Sequence, residues 1–471
     1  MKEQNQDRQM EEQNQDGQQV FKRTLKLHHL TLFGLAYLAP MIIYGIYGVI
    51  STETHGVESA AYLVALVAMT FTALSYCHMV KAYPVAGSAY TYTRKSISPH
   101  VGFMVGWAVM LDYVFIPMAI WLIGAAYFNA AFPSIPSWAF VLAFIFITTA
   151  INIIGIKIGA QVNVVMVLLQ LLVIAAFVAF SVKAVMHGMG TGTVLSISPF
   201  YNKNVPFSFV MAGAAIACYS FLGFDAVTTL VEEAVDPLKN IPRAIMLTTL
   251  IGGLIFVVAS YTTHIAHPGY AYNNVGYAGF EIAKQVAPPI FSTIFMIGMI
   301  IAQFASGISA QASGARLMYA MGRDNVLPKK IFGVLSDRFN TPVTNIIITG
   351  VIALLALKLT VATSTSFINF GAFMAFTFVN ISVIVHYFIK GNRRSFKDTV
   401  LFLIFPLIGA ICCFYLLTNL DKDALILGFG WAACGFIYLI FLTKGFKVSP
   451  PGELSIEEIR AQCDDKIKQA M

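Results

Sequence analysis

Charge is scarce in this chain. Asp, Glu, Lys and Arg make up 11% of its 471 residues, against 58% hydrophobic ones. So little charge cannot clothe a water-soluble domain of this length, so the solvent of the chain is lipid. Cysteine is scarce as well. Cys77, Cys218, Cys412, Cys413, Cys434 and Cys463 lie in or beside apolar runs or in the C-terminal tail and show no metal-ligand spacing. That excludes a disulfide framework and argues against a metal centre. There is no Walker motif, no Gly-x-Ser-x-Gly elbow and no His/Glu metal pattern. Neither an enzyme nor ATP-driven work within the chain is expected, and no cofactor is implied. No cleavable signal is visible, because the first nineteen residues are polar and Gln-rich and the first apolar run is long enough to span. His264 and His267, three apart at the end of an apolar run, lack further ligands and read as a wet helix terminus.

Long hydrophobic runs are what the chain has. Windows of about 20 apolar residues recur about twelve times, near 30–50, 57–80, 101–131, 136–156, 161–186, 207–231, 243–265, 289–321, 342–360, 366–389, 400–418 and 424–443. With the N-terminus placed inside, roughly 25 of the 30 basic residues gather on the cytoplasmic side, among them Arg23, Arg94, Lys95, Arg243, Arg316 and Arg393. Lys183, Lys203, Lys284, Lys358 and Lys422 face out. The asymmetry predicts an all-α integral membrane protein of about twelve transmembrane helices with both termini cytoplasmic. The net charge of +7 then follows from topology and implies no nucleic acid partner.

Residues 1–21 are too polar to bury a core and read as a disordered cytoplasmic tail. Residues 22–190 and 191–395 read as two five-helix halves, 396–447 as two appended helices and 448–471 as a cytoplasmic tail. That tail holds a short amphipathic helix opened by a capping box, Ser455 with Glu458. Tyr83 to Tyr92 brackets small residues with aromatics and suits a close-packed cytoplasmic or re-entrant element. Pro242 is expected in the first turn of the seventh helix, where a proline is tolerated.

Two runs are interrupted, the first by Pro40, Gly45 and Gly48, the sixth by Ser220 to Asp225. They stand first in each half, the arrangement of a 5+5 inverted repeat whose broken helices line a transporter's binding site. Unwound backbone persists in a membrane only where it lines a polar cavity. Gly45, Gly48, Gly213 and Gly223 would let a ligand approach that backbone; the alternative is tight helix packing. Asp112 falls about eleven residues into the third run, near the midplane at roughly 1.5 Å per residue, and Asp225 is likewise central. A carboxylate at that depth costs at least ~2.5–3.5 kcal/mol unless it is protonated, paired or wet. No Lys or Arg falls in the central third of any run, so the acids favour a cation: a proton, a substrate ammonium, or both. The alternative role for either acid is a hydrogen bond to a neighbouring helix. Tyr44, Tyr47, Tyr113, Phe221 and Phe224 could wall the cavity, where an aromatic face favours an ammonium. Glu232 and Glu233 are read as a gate or amine-exit site, or equally as an interfacial ion pair with Arg94, Lys95 or Arg243. Ser306 and Ser309 share one helix face, for a cation- or proton-linked role or for ordinary bonding between helices.

On Gly34 to Pro40, Pro84 to Tyr92, Ser220 to Asp225 with Glu232-Glu233, Ile241 to Ile245 and Met321 to Asp324, in this order, the chain resembles the amino acid, polyamine and organocation (APC) permeases over its whole membrane region. Ser96 to Trp107, Phe221 to Leu230 and Asn369 to Phe373 resemble bacterial putrescine importers in particular. The resemblance implies a leucine-transporter-type fold, a bacterial inner-membrane location, and uptake of a small amine or amino acid with protons. Two positions bear on that implication. Such importers usually carry an acid in the first break, where this chain has Gly45. Many amino-acid members carry a lysine midway along the fifth helix, where this chain has Gln170, as putrescine-type relatives do.

The expected function is a secondary transporter that alternates access around a midplane site and imports a small amine-bearing metabolite, a polyamine such as putrescine or an amino acid, by proton symport. The alternatives are an exchanger or a non-transporting nutrient sensor on the same fold. A channel is disfavoured, since no ring-forming filter motif is present. Oligomeric state is not legible.

Overall fold

The structure is a computed structural model and describes residues 23–84, 88–154, 160–231, 233–323, 325–336, 338–339 and 341–451. The N-terminal tail, Glu232 and the Ser455–Glu458 capping box lie outside the described residues. All regular structure among the described residues is helical, apart from one isolated bridge between Leu25 and Ala234.

The apolar runs become helices close to where hydropathy puts them. Span one is a pair, Leu27–Leu38 and Ile42–Glu53, bent by 46°. Spans two to five are Glu58–Ala82, Pro99–Ala131, Ser137–Ile154 and Ala160–Met186. Span six is broken into Phe207–Ala217, a 3-10 turn Cys218–Phe221 and a 3-10 segment Asp225–Leu230. Spans seven and eight are Pro237–Ala266 and Pro289–Arg323. Span nine is Val343–Ile352 continued by the 3-10 segment Ala353–Leu357. Span ten is Val361–Val383, which widens into the π-helical Ile384–Lys390. Span eleven closes as Phe405–Thr418, and span twelve is Lys422–Leu442.

Among the described residues ten helices are long and apolar enough to cross a bilayer, and the bent pair makes eleven. Span nine is the exception to the twelve expected. Its 10-residue helix and 5-residue extension fall short of the roughly 20 residues of a full crossing. Pro242 also differs from expectation. Span seven starts at Pro237, after Asp236 in a left-handed conformation, so Pro237 takes the first-turn place and Pro242 lies inside the helix.

Burial separates a hub from a rim. In an apolar 18-residue stretch of each helix, 83% of the residues are buried in span three, against 22% and 17% in spans four and twelve. The rim exposes Phe146, Leu172, Ile426 and Phe441, as a lipid-facing surface does. Span three packs along spans eight and ten, and span two along spans six and seven. Side-chain amides tie the hub: Asn380 of span ten accepts from Ser75 (2.6 Å) and donates to Thr72 (3.2 Å) on span two. Such bonds hold helices in lipid, where no hydrophobic force distinguishes helix from solvent. Between spans two and three, the helix Ser88–Ser96 packs on span three, as the small-residue stretch suggested.

Candidate functional site

Span one breaks around Pro40, which cannot donate a helix hydrogen bond. Ala39 takes a left-handed conformation (φ 47°) and closes the first half by donating to the Ala36 carbonyl. The Met41 N–H released by the break donates to Oε1 of Gln170 on span five, at 3.2 Å. A neutral side chain thus satisfies the first break. Beside it lies a cavity of about 70 Å³ lined by Tyr37, Gln170, Ser306 and Ser309 with apolar residues of spans one, three, five and eight.

Span six breaks at Gly223, whose φ of +110° is one that L side chains rarely adopt. A Cβ there would collide with the Tyr37 ring, so the two breaks meet at Tyr37 and Gly223. The carbonyls freed at the end of Phe207–Ala217 are taken by Asn369 of span ten, which donates to Ala215 O at 2.7 Å. After the turn comes Asp225, buried at 5% exposure, with Ser88 and the main chain of Gly223 and Ala226 next to its carboxyl. Asp112 of span three, 7% exposed, is close enough to Asp225 for the two charges to interact.

Neither acid pairs with a base; the sole ion pair among the described residues lies elsewhere. Among the described residues Asp112 Oδ1 and the Ser88, Tyr76 and Tyr92 hydroxyls are buried without a well-formed hydrogen bond, although Ser88 lies beside both Tyr76 and the Asp225 carboxyl and Thr228 beside Tyr92. Tyr37, Tyr76, Tyr113 and Tyr219 lie within electrostatic reach of one or both carboxyls. Buried polar groups are satisfied in the great majority of cases. Two carboxyls without a base, surrounded by buried hydroxyls and aromatic rings, complement a cation in charge and hydrogen-bonding capacity.

The other expected site residues divide. Phe224 meets the Tyr76 ring edge-to-face and the Phe376 ring at a tilt, with ring centroids 5.6 and 5.3 Å apart, and so forms part of the wall. Phe221 packs on Phe256 instead. Tyr44 turns toward Phe177 and Phe295. Gly45 and Gly48 lie inside the second half of span one, beyond the break. The nearest neighbours of Gly45 include Ile123 and Met299, and those of Gly48 are Val275 and Ala278. Close helix packing is the role these positions display. Glu233 offers its carbonyl to the N–H groups of Thr24 and Leu25, both at 3.0 Å, and its carboxyl joins no ion pair among the described residues.

Tyr37, Tyr76, Ser88 and Tyr92 were not singled out from sequence. Three of them stood inside noted motifs, Tyr37 three residues before Pro40, and Ser88 and Tyr92 in the stretch after Pro84. Nothing local distinguishes Tyr76 from a lipid-facing tyrosine.

His264 differs from its expected role as a wet terminus. It is 4% exposed, and its Nδ1 lies 3.0 Å from Oε1 of the fully buried Glu58.

Comparison with known proteins agrees with this architecture. The chain is 44% identical over 432 residues to the low-affinity putrescine importer PlaP of Escherichia coli (strain K12), covering 91% of this chain and 96% of that protein. It is 28% identical over 450 residues, 90% of this chain and 94% of the other, to the methylthioribose transporter of Bacillus subtilis (strain 168). It is 26% identical over 460 residues, 92% and 96% respectively, to the branched-chain amino acid permease BcaP of the same organism. These relatives are named an importer, a transporter and a permease, and none is an enzyme by name. With residues 29–444 matched by the amino acid permease family, the chain belongs to that family, within the APC superfamily, and is a multi-pass membrane permease.

Proposed function

We propose that this permease imports a small diamine, putrescine or a close analogue, by proton symport across a bacterial inner membrane with both termini cytoplasmic. The carrying observation is the pair Asp112 and Asp225, two buried carboxyls without a basic partner among the described residues and ringed by buried hydroxyls. Two ammonium groups match two carboxyls in charge and leave the loaded site neutral. An unpaired carboxylate at this depth is expensive, so the empty site favours protons on the acids. Exchange of those protons for the dication would be antiport, so symport requires a further proton held outside the two carboxyls while the diamine is bound. Likeness to a putrescine importer over nearly the whole chain supports the diamine.

The two breaks meeting at Tyr37 and Gly223 support alternating access, because half-helices on either side can tilt without stretching a continuous hydrogen-bond ladder. We further propose that spans one to five and six to ten form the inverted repeat, and that Gln170, Ser306 and Ser309 stabilise the first break through the rocking motion.

The test is uptake by purified protein in liposomes with an imposed inside-alkaline gradient, comparing labelled putrescine with labelled amino acids. Gradient-driven putrescine accumulation that is lost in Asp225→Asn is the expected result. Accumulation of an amino acid in its place overturns the diamine, and absence of gradient-driven flux overturns symport in favour of exchange.

A further inference from the structure

At the end of the bundle opposite the basic residues, a second buried polar chain joins elements that the substrate site does not use. Glu58, at the first turn of span two, has no exposed surface. Its Oε1 accepts from the Tyr47 hydroxyl of span one at 2.5 Å and faces His264 Nδ1 of span seven at 3.0 Å. Its Oε2 is buried without a partner. On the far side of the imidazole, Nε2 lies 3.2 Å from Ser198 Oγ, which is 2.9 Å from Ser196 Oγ. Both serines are half-exposed, in the segment between spans five and six. Tyr272, in the segment after span seven, donates to Ser51 of span one at 2.9 Å, and its ring lies 6.3 Å from that of Tyr47.

The cluster has one charge state that suits burial. With Glu58 ionised and His264 neutral, Nδ1–H donates to the carboxylate, Nε2 accepts from Ser198, and the cluster carries one negative charge. One proton arriving along Ser196 and Ser198 binds Nε2. The ring becomes an imidazolium that donates on both sides, to Glu58 and to Ser198, and the cluster becomes neutral. No other bond forms or breaks. Breaking a buried ion pair is strongly unfavourable, so the protonated state holds its elements more firmly than the deprotonated one.

The titratable groups around the pair are few. Tyr47 and Tyr272 face the carboxyl, Tyr62 of span two lies within its field, and Glu281 reaches Tyr272 from the outer helix Ala278–Val286. His267 stacks beyond Tyr272, with ring centroids 5.6 Å apart, and bonds Gln285. His55 packs against Phe209 and Tyr270 at the end of span one. Among the described residues no Lys or Arg pairs with Glu58.

From this geometry we infer that Glu58 and His264 form a proton-binding site on the outer face, reached through Ser198, that latches the outer half of span one to spans two and seven when it is protonated. The site is separate from Asp112 and Asp225, and it takes a proton from the outside solution whichever substrate is carried.

Hydrogen–deuterium exchange on the full chain in nanodiscs, corrected for intrinsic exchange and run between about pH 5.5 and about pH 8.5, tests the site without relying on transport. In the native protein, peptides covering 42–54 and 267–277 are expected to exchange roughly tenfold faster at the alkaline end. His264→Gln and Glu58→Gln, which keep hydrogen-bonding capacity without titrating, are expected to abolish that difference. A flat native profile overturns the assignment, as does a pH response that survives either variant. Should neither variant fold, Ser198→Ala at the half-exposed end of the chain is expected to move the midpoint by about half a pH unit, and an unmoved midpoint overturns the assignment. A failed diamine assay leaves this readout untouched.

Discussion

Three carboxyls are buried in the bundle, and they are treated differently. Glu58, near the outer end, is provided for by a tyrosine hydroxyl and an imidazole supplied by spans one and seven. Asp112 and Asp225, in the middle, are given hydroxyls and aromatic rings but no base. The middle acids could have been paired as the outer one is, since span seven supplies a histidine where one is needed. A missing counter-ion at the centre of a membrane protein is better understood as a place kept for a moving cation than as a defect. On the function proposed above, the paired acid belongs to the frame and the unpaired ones to the cargo.

The largest break in this contrast removes a central charge. Asp225→Asn is expected to lower putrescine uptake at least about 100-fold, some 2.7 kcal/mol, while purified yield and melting temperature hold or rise, because a neutral amide is cheaper to bury. Liposome uptake alongside a thermal melt checks both halves.

Next come changes that keep the charges and disturb their frame. Gly223→Ala forces a side chain into the +110° conformation and into Tyr37, with strain of about 1–3 kcal/mol. Uptake is expected to fall roughly 10- to 100-fold together with the melting temperature. Gln170→Leu leaves the Met41 N–H without its acceptor at a cost of about 1–3 kcal/mol. A lower melting temperature and uptake reduced by about tenfold are expected, with substrate selectivity unchanged.

The smallest effect belongs to the paired site. His264→Gln, which mimics the deprotonated histidine, is expected to leave uptake within about threefold of native near pH 8.5 but to flatten its dependence on external pH, which a pH series of initial rates reads directly.

Much of the architecture was legible because its signals are local. Lipid demands long apolar runs, so hydropathy located the spans, and Pro40 and Gly223 marked the two interruptions by their own backbone chemistry. The length of span nine was less legible, since Lys358 to Thr360 read as part of an apolar run although the helix stops at Leu357. Long-range pairings were hidden. Met41 meets Gln170 across 129 positions, and Glu58 meets His264 across 206. Gly45 and Gly48 show a different limit, because a glycine that admits a ligand and a glycine that admits a neighbouring helix look alike until the neighbour is seen. Asp112 and Asp225 stood out by contrast, since charge at membrane depth needs a reason wherever it occurs.

Equilibrium binding of labelled putrescine against butylamine, its one-amine analogue, to the native protein and to Asp112→Asn tests the central claim most directly. If two unpaired carboxyls hold two ammonium groups, the native protein prefers putrescine by at least about tenfold and Asp112→Asn erases most of that preference. Equal affinity for the two amines in the native protein, or a preference that survives Asp112→Asn, would contradict the account.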